Sequence, residues 1–105
     1  MSRQTDRQLQ RIHGQPGTAI AVSVNGTSAQ SSALTARVTY MLCATEDCHI
    51  LFGSNPTATT SSTFLPAGVP WPVTILDDGT TYKVAAIQKD TAGTLTITPM
   101  SGVHA

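Results

Sequence analysis

This sequence predicts an all-β fold, an antiparallel β-sandwich or jelly-roll-like barrel with a short N-terminal arm. Three observations lead there. Apolar residues recur at every second position in several short segments rich in Thr, Val and Ile. Turn signals separate those segments about every 8–12 residues, the spacing of sandwiches and barrels. No stretch of helical period interrupts the strands, which argues against an α/β design.

Residues 1–17 stand apart as the arm, and residues 18–105 form a single β domain. In the arm Arg3, Arg7 and Arg11 recur every four residues, so a helix would align them on one face. Leu9 and Ile12 are too little apolar surface to hold such a helix in place. Gly14, Pro16 and Gly17 then stop it. The arm therefore reads as a mobile segment that orders on contact, or as a frayed terminus.

From Thr18 the period becomes two. Ile20, Val22 and Val24 share one face of a strand, which the Asn25-Gly26 turn signal ends. A Ser/Ala linker covers residues 27–32. Residues 34–43 form the longest strand candidate, with Ala36, Val38, Tyr40 and Leu42 on one face. After the polar turn Thr45-Glu46-Asp47, Cys48 to Phe52 returns as the second strand of a hairpin. Gly53-Ser54-Asn55-Pro56 breaks it, with Gly53 at a bend that other residues would resist. Residues 57–72 read as an ordered surface loop with one or two further strands near 57–65. Three prolines, Pro66, Pro70 and Pro72, keep its end out of a central strand. Val73 to Leu76 follows, then the hairpin turn Asp77-Asp78-Gly79-Thr80. Tyr82 to Ile87, a turn over 90–93 and Leu95 to Pro99 complete the chain. The predicted core is Ile20, Val22, Val38, Tyr40, Leu42, Ile50, Phe52, Val73, Ile75, Val84, Leu95 and Ile97.

Charged residues make up 11% of the 105 residues, against roughly 25% in an ordinary soluble domain. Thr, Ser and Ala replace them, giving a surface that is polar yet cheap to bury. Net charge is zero, so no basic field exists to attract nucleic acid. No apolar run approaches the ~20 residues of a membrane span. The N-terminus lacks the apolar region of a secretory leader. A reducing compartment then favours free thiols, although the spacing of Cys43 and Cys48 would also suit a bridge across a tight turn.

The residues that carry chemistry form no constellation. Cys43, Cys48 and His49 lack a fourth ligand nearby, since His13 and His104 lie near the termini. Neither a metal nor another cofactor is expected. The carboxylates fall almost entirely in predicted turns, and G-x-S-x-G and phosphate-loop patterns are absent. An enzyme is therefore not expected. Trp71, between two prolines, reads either as a partner or sugar contact on an exposed loop or as an anchor folded onto the sandwich end.

The run from Arg37 through Cys48-His49-Ile-Leu-Phe-Gly53-Ser-Asn-Pro56-Thr-Ala58, with Phe64-Leu-Pro-Ala-Gly68, Tyr82 to Gln88 and Gly93 to Thr98, resembles small structural proteins of tailed bacteriophages. These include capsid decoration, or cement, proteins. The resemblance covers about residues 18–99, and its most specific part is Cys48 to Ala58. It implies a virion component on the capsid surface, made in the host cytoplasm. Its partners would be the major capsid protein and itself, with a homotrimer as one arrangement. Arg3, Arg7, Arg11 and Trp71 are then the candidate contact residues. A neck, tail or fibre-base component is an alternative. So is a carbohydrate-binding or adhesin module with Trp71 and Tyr82 as its platform.

Overall fold

Alternating burial carries the period-two pattern of the sequence into strands. The computed structural model describes residues 15–101. Within them lie β1 (Gln15–Pro16), β2 (Ile20–Val24), β3 (Ala29–Gln30), β4 (Thr39–Ala44), β5 (Cys48–Gly53), β6 (Thr63–Leu65), β7 (Trp71–Thr74), β8 (Lys83–Gln88) and β9 (Gly93–Ser101). They form two antiparallel sheets packed face to face, the predicted β-sandwich. In the first sheet β1 and β2 run end to end along one side of β9, β4 lies on its other side, and β7 is the far edge. The second sheet has the order β3-β8-β5-β6.

The turn signals mark chain reversals, but most of those reversals change sheet. β4 lies in the first sheet and β5 in the second, so the expected hairpin across Thr45-Glu46-Asp47 is an arch between sheets. The Asp77–Thr80 turn likewise joins β7 to β8 across the sandwich. Of the connections between these strands, β1–β2 and β5–β6 alone stay within a sheet. The reason is physical. Asx and glycine chemistry reverses the chain, as where Asp78 Oδ1 accepts the Thr80 N–H and Gly79 takes φ +87°. It does not select the hydrogen-bonding neighbour.

Several boundaries move for similar reasons. Residues 15–17, read as the end of the arm, join the sheet: Gln15 and Pro16 face Ser101 and Met100, and the Gly17 N–H donates to Pro99 O at 2.7 Å. The three arginines of the arm lie outside the described residues. The predicted strand over 34–43 splits at Arg37, whose φ of +67° is left-handed. Leu34 bridges Tyr82 in the second sheet, while Thr39 onward belongs to the first. The 27–32 linker contains β3. The 57–72 loop contains β6 and the start of β7, so Trp71 and Pro72 occupy an edge strand rather than a loop. Gly53 is not at a left-handed position, and a Cβ there would meet only Pro56 Cβ at 3.7 Å. The expected intolerance at Gly53 therefore has no steric basis.

The core lies between the sheets. Leu42, Leu65, Val84, Leu95 and Ile97 are fully buried, and each such side chain contributes roughly 1.5–3 kcal/mol. Eight of the twelve predicted core residues are buried; Ile20, Val38, Phe52 and Val73 are partly buried and pack against them. Val24, Leu34, Ala44, Cys48, Leu65 and Ala86 complete the cluster. The buried Ser31 is satisfied, its Oγ accepting the Val84 N–H and donating to Ser32 O. Tyr40 places its ring in the core and accepts the Thr35 N–H on its hydroxyl at 2.8 Å. That bond ties the irregular 31–38 crossing to β4.

Candidate functional site

Strand parity assigns a face to each residue. On β4 the side chains of Tyr40, Leu42 and Ala44 enter the core, so Thr39, Met41 and Cys43 point outward. On β9 the outward set is Thr94, Thr96, Thr98 and Met100. β2 adds Ala21 and Ser23, and β7 adds Pro72 and Thr74. The registers place these side by side: Ala21 and Cys43 flank Thr96, and Met41 faces both Thr98 and Pro72. The Thr39 and Thr74 hydroxyls bond to each other at 2.8 Å. The outer face of the first sheet is therefore four strands wide and, among the described residues, carries no charged side chain.

The charges lie elsewhere. Glu46, Asp47, Lys89 and Asp90 occupy the arches at one end of the sandwich, where Lys89 donates to Asp90 at 3.1 Å. Arg37 pairs with Asp77 at 2.8 Å near the other end. Asp78 is there too; the Tyr82 hydroxyl donates to it at 2.7 Å, which holds its carboxyl below the ordinary carboxylate range and raises the phenol. Lys83 is the one charged residue within a described strand, and it faces outward on the second sheet. The described residues hold three basic groups (Arg37, Lys83, Lys89) and five acidic ones (Glu46, Asp47, Asp77, Asp78, Asp90), so the body is mildly acidic. The preceding segment holds the three arginines against Asp6 alone.

The outer face of the second sheet is built differently. Ala85 points outward between the inward-facing Val84 and Ala86, yet it is fully buried. Its cross-strand neighbours are Gln30 and Leu51, and the connection over residues 54–62 is bonded to Gln30. It reaches β3, where the Gln30 side-chain amide donates to Asn55 Oδ1 and Pro56 O, both at 2.8 Å. The Ala58 N–H donates to Ser28 Oγ, and Pro56 and Ala58 are buried. This strap takes in the last five residues of the stretch from Cys48 to Ala58. Beyond it, His49 Nδ1 lies 2.9 Å from Ser62 O and its ring tilts against exposed Phe64, with centroids 5.5 Å apart.

Trp71 sits where β7 meets the open side of the sandwich and is 39% exposed. It lines a cleft of about 190 Å³ with Ile50, Leu51, Phe52, Thr63 and Val73. A second cleft of about 200 Å³ shares Phe52 and Val73 and ends at Tyr82. Trp71 and Tyr82 thus border neighbouring apolar clefts, and Tyr82 is bound to Asp78. The cleft arises because β6 is short and pairs only as far as Ile50.

Cys43 and Cys48 are free thiols in different sheets. Cys43 is half-buried on the neutral outer face. Cys48 faces the core, where burial, aided by the Asp47 charge, pushes its thiol up to about 11. His49 points outward from the opposite face of β5. These three side chains do not converge, and among the described residues no group of three His, Cys, Asp or Glu side chains could hold a metal ion. No described helix is long and apolar enough to cross a membrane.

The neutral face was only partly visible in the sequence. The alternation Thr94-Leu-Thr-Ile-Thr98 marks a strand with an all-threonine side, but the addition of Met41, Cys43, Pro72 and Ser23 to it depends on strand order. Comparison with family models, with curated proteins and with solved structures found no match.

Proposed function

We propose that this chain is a non-enzymatic assembly protein of a tailed-phage virion, most specifically a head decoration protein that bridges capsid subunits. The observation that carries the reading is the uncharged outer face of the first sheet. Docking such a face strips water from hydroxyls, thioethers and methyl groups rather than from ions, so the desolvation penalty is small. Its threonines donate and accept without fixed polarity. Cleared of charge but not strongly apolar, the face suits a protein made soluble and buried later. The resemblance noted above supplies the virion context. The arginines at positions 3, 7 and 11 fit an additional contact with an acidic shell.

The two thiols provide the test. Native protein treated with a maleimide is expected to react at Cys43 and to spare the buried, proton-retaining Cys48. Shells of the encoding phage, mixed with the protein and separated on a density gradient, should carry it and protect Cys43. Failure to cosediment with shells would end the decoration reading. Recovery with tails instead would move the protein to the neck or tail. Glycan-array binding by the isolated chain would favour the sugar-binding reading built on Trp71.

A further inference from the structure

Among the described residues the four outer edges of the two sheets are not equally protected. The backbone bonds fix which groups each edge presents. Gly17 donates to Pro99 and Thr45 donates to Thr94, so odd-numbered residues of β9 face β2 and even-numbered ones face β4. Ile20, Val22 and Val24 therefore bond to β9, and the N–H and C=O groups of Ala21 and Ser23 point out from the edge. On β7, Ile75 donates to Val38, which turns residues 71, 73 and 75 toward β4. Pro72 and Thr74 then face outward, and Pro72 has no N–H to offer. β3 is two residues long, and the 54–62 strap is bonded along it. β6 presents Phe64 alone before Pro66. The β2 edge is bounded by the bulge at 17–19 and by Asn25, whose carbonyl accepts the Gln88 N–H. Between them lies a regular run with no proline and no charge.

We infer that β2 is a pairing edge whose occupant is β2 of a second copy of this chain, joined antiparallel about a two-fold axis at Val22. The chemistry is self-complementary. Ala21 of one copy faces Ser23 of the other, twice, so the four outward N–H and C=O pairs exchange four backbone hydrogen bonds. Like charge cannot oppose like charge, because residues 18–24 carry none. Such isologous pairing is closed at two copies. It would join two first sheets into one of twice the width, with one continuous neutral outer face. The inference goes beyond the virion reading and stands or falls separately from it.

Sedimentation equilibrium of the full chain, together with hydrogen exchange, tests it. The wild type should show a concentration-dependent monomer–dimer equilibrium. The amides of Ala21 and Ser23 should gain protection as the dimer fills, while that of Thr74 stays unprotected. Ser23→Pro removes only an outward N–H and should raise the dimer Kd roughly a hundredfold. Thr74→Pro, on the opposite edge, should leave the dimer intact. A wild type that is monomeric up to about 1 mM overturns the inference. So does an oligomer in which Ala21 and Ser23 exchange freely, which is a measurement that needs no variant to fold. The double variant Ala21→Lys, Ser23→Lys sets ammonium against ammonium across the axis, and an unchanged mass for it would overturn the inference as well.

Discussion

The two outer faces of the sandwich solve opposite problems. On the second sheet the chain uses residues 54–62 to tie down β3 beside the buried Ala85, through bonds from Gln30 to Asn55 and Pro56 and from Ala58 to Ser28. On the first sheet nothing within the described residues crosses the outer face, and no charge is placed on it. The strap covers only part of the second sheet's face, and Leu51 and Phe64, which point out from the same sheet, stay exposed. The first sheet's face, cleared of charge, is the one that the proposed assembly role uses. Under the proposed function the neutral face is the one that docks, and neighbouring residues on one strand can test this.

Ile97 and Thr96 are such neighbours on β9, facing the core and the open side. Ile97→Asp should abolish folding, because an unpaired buried charge costs several kcal/mol against a total stability of about 5–15 kcal/mol. Thr96→Lys should change the stability by no more than about 0.5 kcal/mol and remove binding to shells. Circular dichroism and denaturant unfolding read the first effect, and cosedimentation reads the second. A folded Ile97→Asp protein would show that the faces are assigned the wrong way round.

Two glycines sharpen the same division. A Cβ on Gly93 would lie 2.6 Å from Thr45 Oγ1 and 2.9 Å from Glu46 Cγ. Thr45 Oγ1 also accepts the Thr94 N–H at 2.9 Å, so it is not free to move away. Gly93→Ala should destabilise by about 1–3 kcal/mol. Gly53→Ala meets only ordinary contact and should be close to neutral. Equal midpoints for the two variants in a urea titration would contradict the close approach of the β4–β5 arch to the start of β9.

The fold class and the inward-facing residues were legible because period two survives any choice of strand partner. Val22, Leu42, Ile50 and Ile97 face inward whichever strand lies beside them. Strand order was not legible. Asn25-Gly26 and Asp78-Gly79 each announce a reversal, and the same chemistry serves a hairpin or an arch. Arg37 shows a second limit. Nothing in its residue type foretells a left-handed backbone, which here is held by its N–H donating to Ile75 O at 2.9 Å. The strap was hidden because its bonds join residues about thirty positions apart, as from Ser28 to Ala58. The neutral face was half legible: the absence of charge is in the composition, but its confinement to one side depends on which strands are neighbours.

The strap makes the next prediction. Gln30→Ala removes two side-chain bonds to residues 55 and 56 and should cost about 1–2 kcal/mol. The loss should be local. Amide exchange should quicken at Ala58, whose N–H is held by Ser28 Oγ, while Leu95 and Ile97 on the other sheet stay protected. Uniform loss of protection across both sheets would mean that the strap is part of the global fold rather than a cover for one face.

The smallest effect is expected from the thiol on the core side of the comparison. Cys48 lies in the core and its folded-state value of about 11 exceeds the unfolded value of 9.0. Between those values the unfolded chain has lost a proton that the folded chain keeps. Stability therefore falls as pH rises from about 9 to about 11 and is unaffected by this thiol below that window. Tyr82, raised by its bond to Asp78, acts in the same direction at higher pH, but from an exposed position. Cys48→Ala should remove the decline that begins near pH 9 and leave the part due to Tyr82. If Cys48→Ala kept the decline that begins near pH 9, Cys48 would not be the group that stays protonated in the core.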